Sequence, residues 1–171
     1  SGPVTLGDGN ARLGAPRSVL AVRGVIGSGA NAFDLIIRNP NDVGGTIILG
    51  ATNAYRGNTW IRCGTIRLAI NNALPVASVL QLGMEAAGQL NVTNSTFDLA
   101  GFNQQLAGVS DRGTDNVHVV TCSAATFSTL TVSNATASAS VFAGTLAGNL
   151  GVVKAGNGTL TLAGTNTVAG G

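Results

Sequence analysis

Charge is scarce in this 171-residue chain: 9% of residues are Asp, Glu, Lys or Arg, against about 25% in an average soluble domain. Nine basic and seven acidic residues leave a formal net charge of +2. A nucleic-acid-binding domain needs a clustered basic footprint, and this chain has none, so no nucleic-acid partner is expected. No run of about 18 apolar residues occurs, which excludes a membrane-spanning helix. No stretch of about twelve residues has the spacing of an amphipathic helix. A strict Gly-X-Y period is absent, which excludes collagen. Disorder requires low hydrophobicity and high charge. At 44% hydrophobic residues and a mean hydropathy of +0.34, the chain has neither. Aromatics make up only 4%, which suits a narrow interior filled by small aliphatic side chains. Two cysteines, Cys63 and Cys122, do not make a disulfide framework. The start Ser1-Gly2-Pro3 has no initiator Met, basic n-region or apolar segment, and reads as a processed or excised chain.

What is present is a series of short apolar runs separated by small turn residues. Ser18–Val22, Thr46–Leu49, Thr65–Leu68, Val79–Leu82, Val117–Val120 and Thr159–Leu162 mostly alternate apolar with polar or β-branched residues. That period of two is the mark of a half-buried strand. Gly, Asn and Asp punctuate the runs, as in Gly7-Asp8-Gly9-Asn10 and Gly156-Asn157-Gly158, and the 25 glycines belong to this pattern. These residues tolerate the left-handed conformations of tight turns. The fold class expected is all-β, in a single domain spanning 1–171.

The chain also repeats itself. Residues 45–58 align without a gap on residues 158–171, with six of 14 positions identical. Both segments begin Gly-Thr, and Leu49, Thr52, Asn53 and Gly57 match Leu162, Thr165, Asn166 and Gly170. The segment from Lys154 to Thr167 resembles the autotransporter-associated β-strand repeat, also called the passenger-associated transport repeat. The second half of that pattern appears at Thr59–Leu68, and further typical stretches are 72–83 and 97–108. The stretch 36–44 departs from the pattern by lacking its Lys-x-Gly entry. The resemblance implies a right-handed parallel β-helix (a β-solenoid) in a bacterial surface or secreted protein. Coils of about 20–25 residues give about seven coils, stacked about 4.8 Å apart. Leu, Ile, Val and Ala are expected inward, with outward Thr and Asn in ladders. A β-sandwich shares the short alternating strands and is the alternative.

A solenoid must cover its terminal coils or leave unpaired strand edges. Residues 158–171 stop in mid-motif, and Leu13–Gly24 resembles Ala73–Gly83. Either the chain is a window of a longer tandem array, or copies stack head to tail into a homo-oligomeric filament. Val4, Leu6, Leu160, Leu162, Val168, Gly170 and Gly171 are the candidate interface residues.

Signals for chemistry are thin. His118 is the single histidine, expected outward or at a bend as an ordinary structural or surface residue. Asp8, Asp34, Asp42, Glu85, Asp98, Asp111 and Asp115 are scattered. Only Asp111 and Asp115 form a local pair of the kind a polysaccharide-cleaving β-helix uses. No nucleophile elbow or calcium repeat is present, so no cofactor or metal is expected. Sequons at Asn91, Asn94, Asn134 and Asn157 arise readily in a Thr/Asn-rich chain. Cys63 and Cys122 are expected as buried thiols, and Tyr55 and Trp60 as packing residues. The function expected is non-enzymatic and extracellular: a bacterial cell-surface stalk, adhesin module or filament subunit. The alternatives are a monomeric passenger fragment that binds host or neighbouring cells, with a cell-surface or glycan ligand, and a polysaccharide-active enzyme.

Overall fold

The computed structural model describes residues 2–9, 11–38, 44–84, 94–113 and 117–169. Every regular element among them is a β-strand, and every pairing is parallel. The chain winds through three-sided rungs. The first comprises β1 (Val4–Thr5), β2 (Arg12–Leu13) and β3 (Val19–Val22), the second β4 (Ile26–Gly27), β5 (Leu35–Ile37) and β6 (Thr46–Leu49). The third has a bridge at Ala54 on its first side, followed by β7 (Thr59–Ile61) and β8 (Gly64–Leu68). The fourth turns at Ala73 and Leu74 into β9 (Val79–Gly83) and β10 (Ser95–Asp98). The fifth is β11 (Gln104–Leu106), β12 (Gly108–Arg112) and β13 (His118–Cys122). The sixth is β14 (Ser128–Ser133), β15 (Ala139–Phe142) and β16 (Thr145–Gly148), and the last β17 (Leu150–Ala155), β18 (Thr159–Leu162) and β19 (Thr167–Val168).

The third side is one continuous sheet ordered β19-β16-β13-β10-β8-β6-β3. The second side is β12-β9-β7-β5-β2, extended by β15 next to β12 and β18 next to β15. The fold is therefore a parallel β-solenoid. About six turns separate the first strand of the third side from its last, close to the seven coils expected. At about 4.8 Å per turn that is a rise of about 29 Å. The register along this side steps by 27, 19, 31, 23, 26 and 20 residues. The spread exceeds the expected 20–25 because corners vary in length while strands stay in step.

Inward positions stack into apolar columns. On the third side Leu20, Ile47, Ile66, Phe97, Val120 and Leu146 are in register. All but Leu20 are at most 1% exposed, and each such side chain contributes about 1.5–3 kcal/mol of burial. The outward column of the same side runs through Thr46, Thr65 and Thr96. Asparagines staple one corner: Asn71 Oδ1 accepts the amide of Asn103, and Asn103 Oδ1 that of Thr129, each at 2.8 Å. The expected inward aliphatic residues and the outward Thr and Asn columns are thus present, but Tyr55, Phe97 and Phe142 are also fully buried, so the interior is wider than small aliphatic side chains alone would fill.

The repeated motif has a definite structural meaning. In both copies a turn precedes a strand, and the motif's Gly-Thr lies against that turn from the next rung. Ser18 N–H donates to Ala15 O at 3.1 Å and Ser138 N–H to Ala135 O at 3.0 Å. The third turn residues, Arg17 and Ala137, are left-handed at φ 51° and 65°. From the next rung, Thr46 N–H bonds Ser18 O and Thr159 N–H bonds Ser138 O, both at 2.9 Å. A Cβ on Gly45 would overlap Ala15 O, and one on Gly158 would overlap Ala135 O and Ser138 O. Those two glycines permit close approach between rungs. The copies lie on different sides, however: β6 on the third and β18 on the second. The sequence repeat is of a strand and its corners, and it runs out of phase with the sides of the rod.

Candidate functional site: the open terminal rungs

The two ends of the rod present the inside of the solenoid. At the head, Leu20 continues the apolar column of Ile47, yet is 37% exposed where Ile47 is 1%. Val4, in register with the fully buried Ile26, is also 37% exposed. At the tail, Leu162 is in register with Phe142 and is 37% exposed against 0%. Leu160 and Val168 are half-buried, and both pack against the core. Leu6 departs from the other interface candidates: it is 7% exposed, and its amide donates to Gly27 O of the next rung at 2.8 Å. Gly170 and Gly171 lie outside the described residues. Sequence reasoning missed Leu20 and Lys154. Lys154 is in register with Val132, itself aligned on Leu106, so a lysine stands in a column of buried aliphatics. Its Nζ donates to Ala155 O at 2.5 Å and Gly156 O at 2.9 Å. The run Val152-Val153-Lys154-Ala155 does not alternate, and only the register assigns Lys154 an inward place.

The side residues are largely committed to the structure. His118 is a correction: it is 4% exposed, not outward. Outward-pointing Val119 is half-buried on the third side, so alternation turns His118 inward at the start of β13. Its Nδ1 lies 3.8 Å from Asp111 Oδ2. Burial lowers its pKa below the ordinary histidine value, and the Asp111 carboxylate opposes that shift only in part. Asp111 Oδ1 accepts the amide of Ala143 at 2.7 Å. Asp98 accepts the amides of Ala100 and Ser123 and the Ser123 hydroxyl, and lies 3.5 Å from Arg67 Nε. Asp34 caps the amide of Asn58 at 2.6 Å. Asp42, Glu85 and Asp115 lie outside the described residues, so the Asp111–Asp115 pair does too. Among the described residues no three His, Cys, Asp or Glu are grouped to hold a metal.

Tyr55 is buried, with its hydroxyl on Thr59, and desolvation raises its pKa far above the usual tyrosine value. Trp60 points outward on β7. Its Nε1 donates to Gly83 O at 2.6 Å, and the guanidinium groups of Arg62 and Arg112 lie 4.6 and 4.8 Å from its ring centre. Two arginines thus engage the ring by cation–π contact. Cys63 and Cys122 are buried and unbridged. Of the sequons, Asn134 is buried and bonds Ser138 O and Thr159 O, which leaves no room for a glycan, and Asn91 is outside the described residues. A shallow groove of about 540 Å³ runs along the third side over Gly45, Thr46, Gly64, Thr65, Asn94 and Thr96.

Over 120 residues, 70% of its length, the chain is 30% identical to the adhesin BmaC autotransporter of Brucella suis. Sequence and fold together fit an autotransporter β-helix repeat protein. The chain spans only 3% of that relative's length. No family model matches the chain, and no solved structure matches it. Among the described residues no helix is long and apolar enough to cross a membrane.

Proposed function

We propose that this chain is a rigid, non-catalytic segment of an adhesin-type protein at a bacterial cell surface. In this reading the rod is extended axially, its open terminal rungs joining further rungs head to tail. The observations that carry it are the continuous third side of seven parallel strands and the 30% identity to an adhesin autotransporter over 70% of the chain. Parallel strands at an open end offer unpaired main-chain donors and acceptors, and a heterologous contact between unlike ends does not close. Low charge keeps self-repulsion small. The polysaccharide-active alternative draws no support from Asp34, Asp98 and Asp111, whose oxygens accept main-chain amides.

Electron microscopy of the purified chain across a concentration series tests this reading. Rods of uniform width that lengthen with concentration are the expected result. Dispersed particles of one chain at every concentration would overturn axial joining. A second reading, a monomeric module that holds a hydroxyl-rich ligand on its flank, is favoured by the groove over Thr46, Thr65 and Thr96. Loss of ligand capture on replacing these threonines by valine would separate it from the first.

A further inference from the structure

Between the second and third sides the corners differ sharply in length. Arg62 and Cys63 alone join β7 to β8, whereas residues 38–45 join β5 to β6 in the rung before and residues 84–94 join β9 to β10 in the rung after. The middle rung takes the short way round, and the groove of about 540 Å³ lies over it, with Gly44 and Asn94 of the neighbouring rungs in its lining. Gly64 is left-handed at φ 85°, a conformation suited to glycine. A Cβ on Gly44 would have Gly64 Cα as its nearest contact, at 4.0 Å, so these glycines leave the groove open. The three rungs are the second, third and fourth, each stacked between others. The groove therefore does not depend on what lies beyond either end of the chain.

Its polar equipment is periodic. Thr46, Thr65 and Thr96 stand in register, one per rung, at a spacing of about 4.8 Å. All three are half-buried. Among the described residues their hydroxyls are committed to no hydrogen bond, unlike Thr121 Oγ1, which donates to Ala147 O at 3.1 Å. Exposed Asn94 adds a carboxamide. Hydroxyls and carboxamides both donate and accept. Among the described residues no charged side chain lines the groove, and neighbouring Arg67 and Asp98 lie 3.5 Å apart, paired with each other. A charged ligand would find no counter-charge here. An extended peptide could not add as a strand either, because β6, β8 and β10 each have neighbours on both edges and strand addition needs a free one. What fits is an uncharged chain whose hydroxyls recur at the spacing of the rungs. The rings of an extended β-1,4-linked hexose chain follow one another at close to that spacing. We propose that the groove binds a neutral, extended β-linked glycan laid along the rod axis, with Thr46, Thr65 and Thr96 each serving one ring. This rests on the second reading above and names the class of its ligand and the direction in which it lies.

An NMR titration of the isotope-labelled full chain with cellohexaose, a neutral β-1,4-linked hexamer, tests it. Maltohexaose, its α-linked and coiled isomer, and an acidic hexamer of galacturonate are run alongside. Cellohexaose is expected to shift the amides of Gly44, Gly64, Thr65 and Thr96, and the other two to bind at least about tenfold more weakly. The triple variant Thr46→Val, Thr65→Val, Thr96→Val keeps β-branched side chains on the strands and is expected to lose about tenfold or more in affinity. Gly44→Leu puts a side chain into the groove and should do the same. Thr131→Val, outward on the first side, should change nothing. The amide spectra of the variants report whether each keeps the wild-type fold. Equal binding of cellohexaose and maltohexaose, lost in the triple variant, would overturn the extended glycan and leave the hydroxyl-rich reading standing. Tighter binding of the acidic hexamer would overturn the neutral ligand. No shift with any of the three at millimolar concentration would overturn both the inference and the reading beneath it.

Discussion

His118 packs directly on the backbone of Gly83: a Cβ added there would overlap the ring nitrogen Nε2. Gly83 is left-handed at φ 94°, and its carbonyl is held by Trp60 Nε1 at 2.6 Å. The histidine is thus enclosed at the corner between the second and third sides, and its buried Nε2 has no hydrogen-bond partner. Protonation there would place a positive charge in a poorly solvated site.

The folded-state pKa of His118 is lowered, by desolvation first. The unfolded chain therefore binds the proton more readily, and stability rises with pH between the folded and unfolded values. Stability is expected to be full above about 6.5, the ordinary histidine value, and to decline as pH falls below it. Thermal melts across that range should show a falling Tm in wild type and a shallower slope in His118→Asn. Equal slopes would place the pH dependence elsewhere.

Asn53 Oδ1 accepts the amide of Ile26 at 2.7 Å, and its Nδ2 donates to Ala73 O at 2.9 Å, linking three rungs in the buried interior. Asn53→Ala strands the Ile26 amide and the Ala73 carbonyl's side-chain bond, and is expected to cost about 2–4 kcal/mol. Its counterpart Asn166 accepts one amide, that of Leu146, at 3.2 Å in a partly buried setting. Asn166→Ala is expected to cost about 1 kcal/mol. Denaturant titration of the two variants checks the order.

Gly45→Ala is expected to be strongly destabilising, because its Cβ would overlap backbone, Ala15 O, which cannot swing aside. Gly7→Ala meets nothing within 4 Å and should leave stability within about 0.5 kcal/mol of wild type. A Gly45→Ala protein as stable as wild type would contradict the close stacking of the first two rungs.

Asp98 fixes the corner after β10 by accepting from Ala100 and from both donors of Ser123. Asp98→Ala should cost more than Ser123→Ala, which loses only the hydroxyl bond while the amide still reaches the carboxylate. A double-mutant cycle is expected to show coupling of about 1 kcal/mol or more between them.

The strands were legible because inward and outward residues alternate strictly in runs such as Thr46–Leu49, whereas the parallel stacking followed from the resemblance to the autotransporter-associated repeat. Asn53 and Asn166, identical positions of the repeat, each accept a main-chain amide from the preceding rung, those of Ile26 and Leu146. The repeat does not reveal that its copies, β6 and β18, sit on different sides, because the length of the intervening corners sets the phase. His118 was misplaced for a related reason. At the first residue of a strand, alternation gives two faces without saying which is inside. Lys154 was invisible as an end residue because a lysine in an alternating strand ordinarily faces solvent; only its register with Val132 distinguishes it. The engagement of Asp98 and Asp111 by amides 25 and 32 residues away also depends on stacking that no local pattern encodes.

The proposed axial joining makes the first and last described rungs contact surfaces for further rungs. Amide hydrogen exchange of the full chain, compared over about a hundredfold range of concentration, tests it most directly. The account expects protection to rise with concentration in β1–β3 and β17–β19 while the middle rungs stay unchanged. Exchange that is independent of concentration at both ends would contradict it.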